Sequence, residues 1–328
     1  MGISLASAEF LVRCRQEGVN FGRTLTLGRQ QLFVSPFHLE RLLKRSGCWP
    51  HGLPPQAFLD RLTVNPYYAD PFLRALGADQ VSALDASAYE GADIVHDLGL
   101  PIPSDLQRSF DLVIDGGLLE HVFNFPAALK NAMELVRVGG HLILMTPANN
   151  YFGHGFYQFS PELFFRALAP ENGFVVERML ALESDLEFAS LLGRTYVSEL
   201  KGQWYEVSDP ASLGMRVTLT NTRPVLLFIR ARCTASLPVF AEYPQQSDYV
   251  ASWESAAHHS ASPVHAPSRR PVNERRSLTR PVRLHLKFHL LPTIMRLLKP
   301  FHRARFYRAQ AFRNRVFFRT VKQASRPA

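Results

Sequence analysis

The chain has 328 residues, 46% of them hydrophobic, which is enough for one sizeable α/β domain with additions. Three widely separated cysteines, Cys14, Cys48 and Cys233, predict neither a disulfide framework nor a zinc site and are typical of a reducing cytoplasm. No apolar run approaches the roughly 20 residues of a membrane span, and the N-terminus lacks a signal-peptide pattern. The net charge of +9 is uneven, because residues 261–328 carry 17 bases and one acid whereas residues 1–260 carry 20 bases and 27 acids.

The first hundred residues alternate predicted helices with short apolar strands. A helix over residues 5–17 ends at Gly18, and a Ser-capped amphipathic helix over residues 35–47 ends at Gly47. Residues 48–65 contain several prolines and are expected to be irregular or inserted. The other predicted elements are strands over residues 24–27, 81–84 and 93–95 and a helix over residues 71–76.

Residues 110–150 contain the clearest pattern in the chain. The apolar run 112–114 directly precedes Asp115-Gly116-Gly117, as a buried strand precedes a tight turn. Apolar residues then recur at helical spacing as far as residue 136, Gly139-Gly140 predicts the end of that helix, and residues 141–145 predict a second strand. Two strands joined by one helix need a crossover connection, so this unit predicts a parallel sheet.

Further elements are predicted beyond this unit. Ser160-Pro161 is typical of a helix start and predicts a helix over residues 161–168. The β-rich runs 174–180 and 224–229 predict two more strands. Residues 234–283 are rich in Ser, Pro and His and predict a flexible linker, and residues 284–328 form a basic amphipathic tail.

The chain resembles class I S-adenosylmethionine-dependent methyltransferases in three sequence segments, namely FDLVI, LLEHV and VRVGG, the last of which directly precedes HLILMTP. The resemblance is specific over about 40 residues and extends more weakly from about residue 20 to residue 233. It implies a Rossmann-like, doubly wound α/β domain over residues 1–233, with a mostly parallel seven-stranded sheet and a basic helical C-terminal extension. It also implies S-adenosylmethionine as cofactor and methyl transfer to a small-molecule or lipid- or glycan-linked acceptor.

The resemblance places the cofactor along the carboxyl ends of the strands. Asp85, at the end of the second strand, would accept hydrogen bonds from both ribose hydroxyls, with a loop or helix-cap role as the alternative. The first strand of the family is usually followed by an acidic residue and three spaced glycines, whereas here the turn reads TLGRQ. The predicted cofactor-binding residues are Gly28, Asp85, Ala86, Asp97, Asp115 and Gly116.

The predicted acceptor side of the crevice contains His121 and the loop over residues 147–160. Glu120-His121 is predicted to begin the helix that follows the strand over residues 112–114, and the family carries such a pair near the methyl donor, where His121 would act as general base or simply pack. Tyr157 is the second predicted catalytic residue, and Asn149, Asn150, His154 and Gln158 are the predicted acceptor-binding residues, unless the loop is purely structural. No metal is predicted, because Gly117 stands where metal-binding members have a third ligand.

The basic tail leaves three interpretations open. Its cations and aromatic rings suit an anionic membrane surface. The same cations could instead neutralise the phosphates of a nucleic acid. In the third interpretation the tail docks on the acidic main domain. The predicted location is the cytoplasm, with peripheral association at the inner membrane. Two other functional classes also stay open, namely a non-catalytic descendant of the fold that serves as a scaffold, and a Rossmann-type enzyme that uses a different nucleotide.

Overall fold

A mixed β-sheet forms the centre of the protein, as seen in a computed structural model that describes residues 2–50, 68–184, 202–260, 311–312 and 314–321. Within these residues the strands are β1 Gly2–Ser4, β2 Arg23–Leu27, β3 Gln31–Phe33, β4 Gln80–Asp85, β5 Ile94–Val95, β6 Phe110–Asp115, β7 Val136–Pro147, β8 Phe174–Ser184, β9 Gly202–Val207, β10 Val225–Cys233 and β11 Phe318–Thr320. The helices are α1 Leu5–Gln16, α2 Pro36–Arg45, α3 Asp70–Ala75, α4 Phe125–Leu135, α5 Pro161–Ala167, α6 Pro210–Leu213 and α7 Ser247–Ser260.

The large sheet has nine strands in the order β11-β9-β8-β10-β7-β6-β2-β4-β5, and β1 pairs separately with β3. The pairs from β5 to β7 are parallel, whereas β10 runs antiparallel to both β7 and β8. Strands β9 and β11 add two further antiparallel pairs at the edge. The architecture is therefore Rossmann-like α/β as expected, but the sheet is a mixed one of nine strands and not a mostly parallel one of seven.

Helices cover both faces of the sheet because successive strand residues point to opposite sides. In β6, Val113 packs with α4 and α5, while Leu112 and Ile114 pack with α1, α2 and α3. All six residues of β6 are buried, as expected for a strand covered on both faces. The two apolar layers hold the strand ends rigidly, and this fixes the positions of the polar groups that follow them.

Most of the predicted elements are present with shifts of one or two residues. The order of β2 between β4 and β6 confirms that residues 24–27 form the first strand of the parallel part. The long interval from Gly28 to Asp85 is an insertion that contains β3, α2 and α3. Residues 51–67, which make up most of the proline-bearing stretch, lie outside the described residues.

Two local predictions are wrong. The helix before Gly139-Gly140 already ends at Leu135, and β7 begins at Val136, because residues 137–140 belong to an irregular part of the β6–β7 pairing. Glu120-His121 does not begin α4 but lies in a separate 3₁₀ turn, Leu119–His121, that precedes it. That turn brings Glu120 back under the end of β6.

The predicted linker and tail also contain structure. Residues 234–246 pack on the domain, where the backbone N–H of Phe240 donates to Asn172 at 2.8 Å and that of Ser247 to Glu162 at 2.7 Å, and α7 follows. From the tail, β11 pairs with β9, and the ring of Phe312 stacks on Tyr205 at a centroid distance of 4.0 Å. The main domain therefore does not end at residue 233. Residues 261–310 lie outside the described part of the chain.

Candidate functional site

The candidate site is the crevice at the carboxyl ends of β2, β4 and β6. The strand order reverses at β2, because β4 and β5 lie on one side of it and β6 and β7 lie on the other. In open α/β sheets such a reversal creates a crevice in which ligands bind. The residues that follow these three strands are Gly28, Asp85 and Asp115, all of which the sequence places at the cofactor.

The turn after β2 is held without the usual glycines. Gly28 adopts a φ of 72°, which favours glycine, and its N–H donates to the carbonyl oxygen of Leu84 at 2.7 Å. Arg29 turns away toward the insertion, where its guanidinium lies 3.2 Å from Asp70 and 4.7 Å from the ring centroid of Tyr68. The side chain of Arg29 therefore connects this turn to α3 through the ion pair with Asp70.

Gln30 points its side chain into the crevice. Its Nε2 donates to the carbonyl oxygen of Leu27 at 2.6 Å, and the residue is 2% exposed. A Cβ on Gly116 would overlap Gln30 Oε1, so Gly116 is the residue that lets this amide lie against the end of β6. The sequence analysis did not identify Gln30 as a site residue, because a glutamine in a turn has no distinctive pattern.

Asp85 has a partly exposed side chain at the end of β4. Its carboxylate accepts one long hydrogen bond, from the N–H of Ser87 at 3.4 Å, and forms no ion pair with the described residues. Ala86 is exposed beside it. Asp97 follows β5 and accepts from the N–H of Gly99 at 2.7 Å, a bond that also serves the alternative role of forming a turn.

Asp115 and Glu120 form a buried acidic pair beneath the crevice. Asp115 is fully buried, and its Oδ1 accepts from the N–H of Leu118 at 2.8 Å. Glu120 is 1% exposed. Desolvation by burial, reinforced by the charge of Glu120, raises the pKa of Asp115 to about 8. The Asp115 carboxyl is therefore mostly protonated at neutral pH.

Three buried oxygens around Gly116 and Gly117 have no hydrogen-bond partner among the described residues. They are Gln30 Oε1, Asp115 Oδ2 and Glu120 Oε2. The absence of a side chain at Gly117 lets the Glu120 carboxylate lie close to this backbone, because a Cβ on Gly117 would be 3.1 Å from Glu120 Oε1. Because buried acceptors without partners are costly, this group of oxygens suits a ligand that brings several N–H donors and a positive charge.

The structure adds His154 to the predicted Glu120-His121 pair. His154 Nε2 lies 3.5 Å from Glu120 Oε1, and the rings of His121 and His154 are 5.3 Å apart. The ligand atoms of the three residues lie within 4.8 Å of one another, so this set of one carboxylate and two imidazoles could hold a divalent metal. The sequence predicted His154 for the acceptor and missed this cluster, since 33 positions separate the two histidines.

The remaining predicted residues of the loop 147–160 make contacts within the protein. The hydroxyl of Tyr157 donates to the carbonyl oxygen of Phe123 at 2.6 Å, so its proton is already used in a loop contact. Asn149 and Asn150 donate to residues of the 219–223 loop, and Gln158 accepts from the N–H of Tyr151 at 2.9 Å. These bonds shape the loop, whereas both His121 and His154 keep exposed side chains.

Known proteins resemble this chain in structure and not in sequence. No family model and no curated protein sequence matches it. A possible histamine N-methyltransferase from Thermotoga maritima, described as dependent on S-adenosylmethionine, is 17% identical and covers 70% of this chain and 90% of its own, with a TM-score of 0.32. An S-adenosylmethionine-dependent methyltransferase from Mesorhizobium loti is 18% identical and covers 70% and 100%, with a TM-score of 0.35.

A third similar structure is the N-methyltransferase NodS from Bradyrhizobium japonicum, which is 11% identical and covers 70% of this chain and 96% of its own, with a TM-score of 0.34. Within the described part of the chain, no helix is long and apolar enough to cross a membrane.

Proposed function

We propose that this protein is an S-adenosylmethionine-dependent methyltransferase that acts on a small molecule. The observation that carries the proposal is the group of unpartnered buried oxygens on Gln30, Asp115 and Glu120 at the end of β6. S-adenosylmethionine has an ammonium group with three N–H donors and a sulfonium cation, which together match these acceptors in hydrogen bonding and in charge. The family resemblance of FDLVI, LLEHV and VRVGG points to the same cofactor.

The crevice supplies a counterpart for each further part of the cofactor. Asp85 would hold the ribose hydroxyls, because its carboxylate is accessible and free of ion pairs with described residues. Gly28 and Ala86 would leave room beside the adenosine, and Asp97 would lie toward the adenine. Asp115 and Gly116 would line the methionine part, where a cation beside Asp115 favours the ionised carboxylate and lowers its raised pKa.

The cofactor supplies an electrophilic methyl group, and the chain contributes positioning and a base. His121 would accept the proton of the acceptor, because its imidazole is exposed and lies on the 3₁₀ turn beside the crevice. Tyr157 would position the loop 147–160 through its hydrogen bond to the Phe123 carbonyl. His154 would contact the acceptor near Glu120, and Asn149, Asn150 and Gln158 would shape the acceptor side of the loop.

Titration with S-adenosylhomocysteine, followed by calorimetry, tests this function without knowledge of the acceptor. We expect saturable binding by the wild type, and weaker binding by Glu120→Gln, which removes a charge but retains the side-chain size. Asp105→Asn provides a control for the loss of one carboxylate charge, since Asp105 is exposed and is not one of the site residues. An absence of binding at millimolar ligand would contradict the proposal.

A non-catalytic scaffold remains the second candidate, and Gln30 favours it. Its side chain fills part of the crevice and bonds to Leu27, so a ligand must displace or contact it. The same titration distinguishes the two functions. Failure to bind either S-adenosylhomocysteine or NADH would favour the scaffold, and binding of NADH alone would favour a different nucleotide-dependent enzyme.

The acceptor could be free or linked to a lipid or glycan, and the tail bears on where the enzyme works. We propose a cytoplasmic protein whose basic residues between 261 and 310 meet an anionic membrane surface. Sedimentation with anionic vesicles should then decrease as salt rises, because exposed charges are screened beyond the Debye length. Binding to nucleic acid with a steep salt dependence, and not to vesicles, would replace this assignment.

A further inference from the structure

A cavity of about 360 Å³ lies next to the loop 147–160, on the side of β7 away from β6. Its walls come from both ends of that loop, from the outer strands β8, β9 and β10, and from the C-terminal strand β11. The main contributors are Ala148, Phe159, Ala181, Val207, Leu227 and Phe318. Each of these side chains is buried, and the cavity that they line is partly open to solvent at the edge of the domain.

Among the residues that the structure describes, the lining of this cavity is mostly apolar and contains no charged side chain. Its amide side chains are engaged: Asn149 donates to the Leu219 carbonyl at 2.9 Å, and Gln158 accepts from the Tyr151 N–H at 2.9 Å. The volume lies within the range of about 300–1,000 Å³ that is typical of small-molecule sites. Such a cavity suits an uncharged, apolar group and disfavours an ion.

The loop 147–160 joins this cavity to the candidate catalytic residues. Its ends line the cavity through Ala148 and Phe159, while its middle is bonded to the 3₁₀ turn, because the N–H of Phe156 donates to the Glu120 carbonyl at 2.9 Å. His154 lies in the same middle section, beside His121. A molecule in the cavity would therefore contact both ends of the same loop whose middle carries His154.

We propose that this cavity binds the apolar part of the methyl acceptor, an uncharged aromatic or short aliphatic group, and that β11 forms one of its walls. The identification of the ligand as the acceptor rests on the proposed methyl transfer. Phe318 is held in place because β11 pairs with β9 and because the ring of Phe312 stacks on Tyr205. The C-terminal segment is thus a part of the acceptor site.

The test uses the full chain and N-phenyl-1-naphthylamine, an uncharged probe that fluoresces in apolar surroundings. Ala181→Leu fills the cavity from β8, and Leu219→Asp introduces a charge from a half-buried loop position at the edge of the core. We expect each variant to bind the probe at least about tenfold more weakly than the wild type. The matched control, Ala211→Leu, adds the same side chain at an exposed position and should bind as the wild type does.

Circular dichroism and thermal melting confirm that each variant is folded, and S-adenosylhomocysteine titration separates the two proposals. Retained S-adenosylhomocysteine binding with loss of probe binding in Ala181→Leu or Leu219→Asp supports the acceptor cavity. If the wild type does not bind the probe, or if folded Leu219→Asp binds it with unchanged affinity, the proposal that the cavity binds a ligand is wrong. Neither result contradicts the proposed methyl transfer. Probe binding that responds to the variants in a protein that does not bind S-adenosylhomocysteine overturns the acceptor as occupant.

Discussion

Replacement of Asp115 by Asn should remove a pH-dependent loss of stability. The pKa of this carboxyl is about 8 in the folded protein, because of burial and the charge of Glu120, against an ordinary value of 3.8. Between these values the folded state holds a proton that the unfolded state has released. The free energy of unfolding therefore falls as the pH rises, by up to about 1.4 kcal/mol per pH unit for this group.

From pH 5 to pH 7 this group should lower the stability of the wild type by roughly 2–3 kcal/mol. Asp115→Asn retains an oxygen that can accept from the Leu118 N–H, and it has no proton to lose. The variant should thus gain roughly 2–3 kcal/mol relative to the wild type between pH 5 and pH 7, and little more above pH 8. Titrating groups that do not interact with Asp115 cancel in this difference.

Urea denaturation of the two proteins at pH 5, 6, 7 and 8 measures the effect, with Asp105→Asn as an exposed control that should follow the wild type at every pH. A difference between Asp115→Asn and wild type that does not change with pH would refute the reasoning. It would mean that Asp115 is ionised in the folded protein throughout this range.

Four substitutions and one deletion test the site and the C-terminal strand. Asp85→Ala should weaken S-adenosylhomocysteine binding by about 1–3 kcal/mol through lost charge-assisted hydrogen bonds, and calorimetry that finds no change would remove Asp85 from the site. Gln30→Ala should weaken the same binding by removing the unpartnered Oε1 acceptor, and tighter binding would make Gln30 an obstacle in the crevice. Once an acceptor is known, His121→Ala should lower turnover by about 10²-fold or more with cofactor affinity unchanged. Tyr157→Phe should lower turnover less than His121→Ala does. If a chelator abolishes the activity of the wild type, His121 is instead a metal ligand. Removal of residues 311–328 should lower the thermal midpoint, because it exposes the surface covered by three buried Phe side chains worth about 1.5–3 kcal/mol each, and an unchanged midpoint would mean that β11 contributes nothing.

The sequence predicted the parallel half of the sheet well because its strands are short apolar runs that end at Gly or Asp. It could not predict that Val136 begins a strand, since apolar spacing continues unbroken through α4 into β7. Strand β11 was missed for a different reason. Phe318 lies in a stretch that is uniformly basic and aromatic, and its pairing with Val207 joins positions more than a hundred residues apart. Nothing local to either segment indicates such a pairing.

The sequence identified the carboxylates of the candidate site but not its uncharged, buried side chains. Asp115 stands out in the sequence because it follows a buried strand, whereas Gln30 gains its importance only from contact with Gly116. This contact also gives the unusual TLGRQ turn a physical meaning. Where spaced glycines would leave the crevice open, Gln30 fills it with an amide whose Oε1 has no partner among the described residues. The Gln30 amide either accepts a hydrogen bond from the cofactor's ammonium group or blocks the cofactor's place in the crevice. Weaker S-adenosylhomocysteine binding by Gln30→Ala would indicate the first and an adapted enzyme, whereas tighter binding would indicate the second and a scaffold.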